Sequence, residues 1–331
     1  MKRALPQTIV ITGATAGVGR ALALVLAAQG ARVGLIARCS EALAEVAREV
    51  AELGGRAATA AADVSDPTAV FQAAESIERE LGPIDIWINN AMVTVFSPIL
   101  DMSPAEFKRV TEVTYLGSVY GAMAALRLMR PRDAGSIVQI GTSLSYRGIP
   151  LQSAYCGAKF AIRGFLDSLR TELLHDRSRI RVVMVQLPAV NTPQFDWART
   201  HRRHEPRPVP PVIQVETVAR AIARAIQGSQ REYWLHISTA KVIIGSLLLP
   251  GFLDRYLSRH AYEAQDRDTT VASDRKDNLF SSVPGLHRAR GSFSEDARTS
   301  ASVLSATGTR AALATLVMGA IALGALALLA I

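Results

Sequence analysis

Tyr155 and Lys159 stand four residues apart, so on a helix they share one face. A tyrosine hydroxyl ordinarily titrates near ~10, and a lysine ammonium beside it favours the phenolate and brings proton exchange toward neutral pH. Such a pair suits general acid–base work on an oxygen. An isolated Y-x-x-x-K is usually a solvated surface pair, so the chemistry needs support from elsewhere in the chain. The run Thr12-Gly13-Ala14-Thr15-Ala16-Gly17-Val18-Gly19 supplies it, lying between a short β-branched apolar stretch and a helical pattern. Gly13 permits a tight turn, Gly17 lets a phosphate approach the backbone, and Gly19 allows helix and strand to pack closely. The helix N-terminus behind the loop offers unpaired N–H groups to an anion, so the segment reads as a dinucleotide cradle.

The elements that must position these groups alternate regularly. Apolar or β-branched runs predict strands at Thr8 to Thr12, Arg32 to Ala37, Arg56 to Ala61, Ile84 to Ile88, Ser136 to Gly141, Arg181 to Gln186 and near Tyr233 to Ile237. Amphipathic stretches predict helices at Gly17 to Gln29, Ser40 to Leu53, Pro67 to Leu81, Pro104 to Met129, Ser153 to His175 and Gln214 to Gly228. Short β–α connections imply an α/β fold with a parallel sheet covered by helices on both faces. One doubly wound Rossmann-type domain over residues 1–260 follows.

Composition narrows the function classes. The chain has 331 residues, is 49% hydrophobic and carries a formal net charge of +8. That apolar content excludes a wholly disordered chain, and two cysteines, Cys39 and Cys156, exclude a disulfide scaffold and fit a reducing compartment. The positive charge is mild and no dense basic run interleaves with aromatics, so no nucleic-acid partner is expected. No paired metal-ligand spacing appears, and no metal is expected.

Residues 261–310 turn to Ser, Thr, Asp, Arg and Gly and read as a polar, partly disordered tether. Val271, Leu279, Phe280 and Leu286 are available to pack back on the body in its first half. From Ala311 to Ile331 no residue is charged, and 21 helical residues at about 1.5 Å each span roughly 30 Å, the thickness of a bilayer core. The expectation is a single-pass C-terminal membrane helix with the catalytic body in the cytoplasm and Arg310 on that side. Ala320 and Gly324, four apart, would let such helices pack as a homo-oligomer. Val242 to Leu253 is also apolar but too short to span, and packing on the core is its expected role.

At the glycine-rich loop, with three residues between the first two glycines, the chain resembles the short-chain dehydrogenase/reductase family. Further landmarks follow in order: Asp63-Val64, Asn89-Asn90-Ala91, Tyr155-Cys156-Gly157-Ala158-Lys159, and Pro188 with Thr192. The resemblance covers about residues 6 to 260. It implies hydride exchange with a nicotinamide dinucleotide, with Tyr155 handling the proton and Lys159 lowering its pKa and binding ribose. It also implies dinucleotide contacts from Gly13, Thr15, Gly17, Val18, Gly19, Arg38, Asp63, Val64, Asn89, Ala91, Pro188 and Thr192. Asp63 would meet the adenine, and Asn89 and Ala91 would line the adenosine and ribose side.

The pattern is broken in places. Family enzymes hold the substrate oxygen with a hydroxyl, usually Ser, thirteen residues before the tyrosine. Here that position is Thr142, with Ser143 one further on, and either could serve. Thr114 stands where the family commonly has an Asn that anchors a proton relay, and it lacks the amide geometry. Met92 replaces a glycine, and Leu187-Pro188-Ala189 replaces Pro-Gly-x. At the end of the second strand Ala37-Arg38 offers no carboxylate to repel a 2′-phosphate, which implies NADP over NAD.

Pro193 to Pro211 falls at the family's substrate lid, and Phe195 and Trp197 are candidates to touch substrate, ahead of His201 and His204. Together the features predict a membrane-anchored, NADP-dependent oxidoreductase that interconverts a carbonyl and an alcohol on a small, apolar or lipid-like molecule. The alternative is a non-catalytic dinucleotide-binding scaffold or redox-sensing partner, in which the Thr114, Met92 and Pro188 changes have abolished turnover.

Overall fold

A computed structural model describes residues 7–315. Its centre is a sheet whose inner strands are buried on both faces, as their largely apolar sequences require. The first half contains β1 (Thr8–Thr12), α1 (Gly17–Ala28), β2 (Arg32–Ala37), α2 (Ser40–Glu52), β3 (Arg56–Ala61), α3 (Pro67–Leu81), β4 (Ile86–Asn89) and the short β5 (Val95–Phe96). Next come α4 (Pro104–Val110), α5 (Gly117–Met129), β6 (Ser136–Thr142), α6 (Ser153–His175), β7 (Arg181–Leu187) and β8 (Ala189–Asn191). After these lie α7 (Gln194–Trp197), β9 (Arg199–Thr200), β10 (His204–Pro206), β11 (Val212–Gln214), α8 (Val215–Ala225), β12 (Glu232–Leu235), α9 (Ile237–Leu248) and α10 (Pro250–His260). The last elements are β13 (Asp266–Thr270), β14 (Ala297–Arg298) and β15 (Val303–Ser305).

The main sheet runs β15-β12-β7-β6-β4-β1-β2-β3. Strands β1 to β3 progress one way and β4 to β12 the other, so the order reverses between β1 and β4, where α/β sheets open a ligand crevice at their carboxyl ends. Helices α1, α2 and α8 bury one face through Leu22, Leu26, Val46 and Ile222. Helices α3, α5 and α6 bury the other through Ile77, Ala125, Ile162 and Leu166. The expected parallel sheet is therefore present, with one addition: β15 pairs antiparallel with β12 at the edge.

Two expectations change, and a third lies largely outside the described residues. The single helix anticipated over Pro104 to Met129 contains a π-helical turn, Thr111–Leu116, between α4 and α5. Within that turn the Thr114 hydroxyl donates to Val93 O at 2.9 Å and accepts from Val93 N at 3.1 Å, fastening the helix to the loop after β4. Residues 261–310 also do not stand clear of the body. β13 pairs with β10, β14 with β11 and β15 with β12, while Leu279, Val283 and Phe293 are buried. Their apolar anchors are too widely spaced to show a period, and strand partners far back in the chain satisfy their backbone groups.

The third concerns the tail. Residues 306–315 are helical and are held by Arg310, which donates to Tyr146 Oη at 3.1 Å and pairs with Glu232 at 3.3 Å. Among the described residues no helix is long and apolar enough to cross a membrane. The expected span, 311–331, lies outside them beyond residue 315.

Candidate active site and dinucleotide cleft

The loop after β1 turns sharply because Gly13 takes φ +67°, and a Cβ there would stand 2.8 Å from the Ala91 Cα. A side chain at Gly19 would meet Gly13 O at 2.2 Å, so α1 packs directly beneath the turn. Thr12 ties the two sides of the crevice together. Its hydroxyl accepts from Asn90 N at 3.0 Å and Ala91 N at 3.1 Å, while Asn90 Nδ2 donates to Thr12 O at 3.0 Å. The result is a cavity of about 490 Å³ along the carboxyl ends of the strands.

Most of the expected residues meet there. Gly13, Thr15, Gly17, Val18, Arg38, Asp63, Val64 and Ala91 line one end, and Thr142, Ser143, Tyr155, Lys159, Pro188 and Thr192 the other. Three do not line it. Gly19 acts through packing. Thr114 spends both hydrogen-bonding capacities on Val93. Asn89 points to the opposite face of β4, accepting from Trp87 Nε1 at 2.8 Å and donating to Ser118 O at 2.9 Å. Side chains alternate along a strand, so its neighbour Asn90 is the one that reaches the cleft.

At the reactive end, Tyr155 and Lys159 share the first turns of α6. Lys159 is buried and donates to Ile140 O at 3.0 Å, which sets its ammonium 5.5 Å from the centre of the Tyr155 ring. Burial pulls the Lys159 pKa down to about 8. Burial also pushes the Tyr155 hydroxyl above its ordinary value, with the Cys156 thiol adding to the effect. Thr142 Oγ1 accepts from Leu144 N at 3.3 Å, leaving its own proton free to donate. The Ser143 side chain has no such anchor.

At the other end, Arg38 is half-buried. Its Nη2 donates to Asn278 O at 2.7 Å and its Nη1 has no partner among the described residues. Burial opposes ionisation of Asp63, but Ser65 N–H and Arg109 outweigh it and hold the carboxyl below its ordinary value. Arg109 pairs with Asp63 and also donates to Ser65 Oγ at 2.7 Å. The acidic residue nearest Arg38 in this crevice is thereby matched by a second guanidinium. A glycine-lined crevice and the unpartnered Arg38 Nη1 fit a nicotinamide dinucleotide: Gly13, Thr15, Gly17 and Val18 would border its phosphates and Tyr155 and Lys159 its nicotinamide ribose, although the Gly17 N–H is already taken by Arg288 O.

The lid residues divide. Phe195 and Trp197 line the cavity together with Gln194 and Arg207 to Pro211. His201 instead bonds Glu106 at 3.0 Å, away from the cleft. The sequence reading missed Asn90, Gln152, Asn278, Val283 and His287, all of which line the cavity. Asn90 lay inside the quoted Asn-Asn-Ala motif, whereas the last three had no local signal.

Fold, loop and tyrosine–lysine face define a dinucleotide-dependent dehydrogenase or reductase of the doubly wound α/β class. Residues 7–203 match the short chain dehydrogenase family, and the chain belongs to it. It is 30% identical over 289 residues to the uncharacterized oxidoreductase YxnA of Bacillus subtilis (strain 168), covering 87% of this chain and 81% of that protein. It is 28% identical to 3-ketodihydrosphingosine reductase of Bos taurus, covering 68% of this chain and 70% of that protein. Among solved structures, the alcohol dehydrogenase of the archaeon Thermococcus sibiricus complexed with 5-hydroxy-NADP matches with a TM-score of 0.59 at 25% identity, covering 67% of this chain and 91% of that one.

Proposed function

We propose that this protein is an NADP-dependent oxidoreductase that interconverts a carbonyl and an alcohol on an apolar or lipid-like molecule, held at a membrane by residues 311–331 with its catalytic body in the cytoplasm. The observation that carries this reading is the gathering of Tyr155, Lys159, Thr142 and Ser143 in one cavity with the glycine-rich loop. The dinucleotide, when bound, would donate a hydride in its reduced form to the carbonyl carbon, or accept one from the alcohol carbon in its oxidised form, whose ring is positive. Tyr155 gives its proton to the carbonyl oxygen or takes it back from the alcohol. Lys159 lowers the proton affinity of the phenol, which burial alone sets too high, and holds the ribose. Thr142, its oxygen fixed by Leu144 N, orients the reacting oxygen.

The preference for NADP is supported by Arg38, which lines the cavity and has a buried, unpartnered Nη1, and by Arg109, which neutralises Asp63. An apolar substrate is favoured because Leu144, Ile149, Phe195, Val209, Val242 and Leu253 face the substrate end of the cavity. Beside its mouth, Leu247, Leu248, Leu249 and Phe252 are exposed. The likeness to a protein named 3-ketodihydrosphingosine reductase points the same way.

The test is a titration of the full chain in detergent with NADPH and NADH, followed by turnover of a panel of apolar ketones and alcohols. Tight NADPH binding and turnover that falls at least about hundredfold in Tyr155→Phe are expected, since a positioned acid–base group contributes about 10²–10⁴. Binding without turnover on any member of the panel would favour the scaffold reading instead.

A further inference from the structure

The segment from Asn278 to Arg290 crosses the front of the dinucleotide cleft, far from the family match that ends at residue 203. It is fastened to the glycine-rich loop at several points. Gly17 N donates to Arg288 O at 2.9 Å, Arg20 Nη1 donates to His287 O, and His287 Nδ1 lies 3.0 Å from Thr15 Oγ1. At its start, Asn278 N donates to Trp197 O at 3.0 Å, and Arg38 and Arg109 donate to the carbonyls of Asn278 and Leu279. Leu279 is fully buried, so this end of the strap is part of the core.

Three polar atoms here lack partners. Arg38 Nη1, Asn278 Oδ1 and His287 Nε2 are buried and unbonded among the described residues, and all three residues line the cavity. Asn278 is only 6% exposed, a setting in which an unmet polar atom is costly unless a ligand completes it. The His287 ring is held edge-on to Trp197 at 5.5 Å. In the tautomer whose Nδ1 accepts from the Thr15 hydroxyl, Nε2 carries the proton and is a donor; in the other tautomer Nε2 is an acceptor. The Asn278 carboxamide can present either its oxygen or its NH₂ by turning over. Gly13, Thr15, Gly17 and Val18 still line the cavity beneath, so the strap takes the Gly17 N–H but leaves the rest of the phosphate loop facing the cavity.

We propose that the C-terminal strap is a wall of the dinucleotide site, with Asn278 and His287 joining Arg38 around the phosphorylated adenosine ribose. This rests on the NADP reading above and extends it to residues outside the family's match. In this arrangement the strap closes on the cofactor and slows its release. The strap's Arg288 carbonyl takes the Gly17 N–H, but the body leaves two of the strap's own polar atoms, Asn278 Oδ1 and His287 Nε2, without partners, as a wall awaiting a ligand would.

The test measures NADPH affinity by the fluorescence of the bound nucleotide, using the full chain and the variants Asn278→Ala, His287→Ala and Arg290→Ala. Arg290 is an exposed strap residue paired with Glu216 and does not line the cavity, so it controls for general loosening. Each of Asn278→Ala and His287→Ala is expected to weaken NADPH about tenfold. Arg290→Ala should leave it unchanged, and NADPH should protect the strap from limited proteolysis. Equal affinity in all variants, measured on chains with unchanged thermal midpoints, overturns the proposal while leaving the NADP reading intact. Tighter binding by the variants overturns it in favour of a strap that blocks the site. If the wild-type chain binds NADH as tightly as NADPH, or binds neither, the underlying reading falls and the proposal with it.

Discussion

Glu106 links the start of α4 to the segment proposed as the substrate lid, and replacing it with Gln tests that link quantitatively. Its carboxylate accepts from Ser103 N at 2.8 Å in a capping box, from Arg199 Nη1 at 3.1 Å, and bonds His201 Nε2 at 3.0 Å. Arg199 and Thr200 form β9, which pairs with β5 and continues α7, where Phe195 and Trp197 line the cavity. Burial alone would raise the Glu106 pKa, but the Ser103 N–H, His201 and Arg199 outweigh it and hold it at about 2 instead of 4.5. At about 1.36 kcal/mol for each tenfold change in proton affinity, that difference corresponds to about 3 kcal/mol favouring the folded state.

The folded pKa is depressed, so this stabilisation is complete above about pH 4.5 and is lost as pH falls through about 2. Glu106→Gln imitates the protonated acid at every pH. Urea unfolding of both proteins from pH 7 to pH 3 should show a constant gap of about 2–3 kcal/mol down to about pH 5, narrowing to about half near pH 3. The loosened lid should raise KM for an apolar substrate more than it lowers kcat. A gap that stays the same across this range, or one below about 0.5 kcal/mol at pH 7, would refute the argument that charge-assisted bonds to Glu106 anchor the lid.

Three further outcomes are expected. Arg38→Asp should shift the ratio of NADPH to NADH affinity toward NADH by about tenfold to hundredfold, the range of one charged hydrogen bond, and an unchanged ratio would remove Arg38 from cofactor choice. Thr142→Ala should cut kcat by about hundredfold while Ser143→Ala stays within about threefold, because the Thr142 oxygen alone is fixed by a backbone N–H; equal losses would dismiss that distinction. Ending the chain before Ala311 should move the protein from the membrane to the soluble fraction with nucleotide affinity retained. Continued membrane association would point to the exposed leucines of α9 and to Phe252.

Much of the fold and half of the site were legible in the residues themselves. The largely apolar runs of β1, β4, β6 and β7 read as inner strands of a covered sheet, and the Gly13 turn needs a conformation that other residues adopt with strain. Tyr155 and Lys159 sit on one helix, so their spacing alone placed them together. Groups that act within one or two turns of chain carry their geometry in their spacing.

Other features belong to tertiary structure because they depend on partners far away in the chain. Asn89 and Asn90 are equal candidates in a motif, and only the pleat of β4 against α5 turns one inward and the other to the cleft. Thr114 looked like a relay residue until its hydroxyl was found spent on Val93. Residues 261–310 read as a polar tether because Leu279, Val283 and Phe293 follow no helical or strand period. Their burial is decided by loops more than 80 residues earlier in the chain, and so is the position of Asn278 and His287 over the glycine-rich loop.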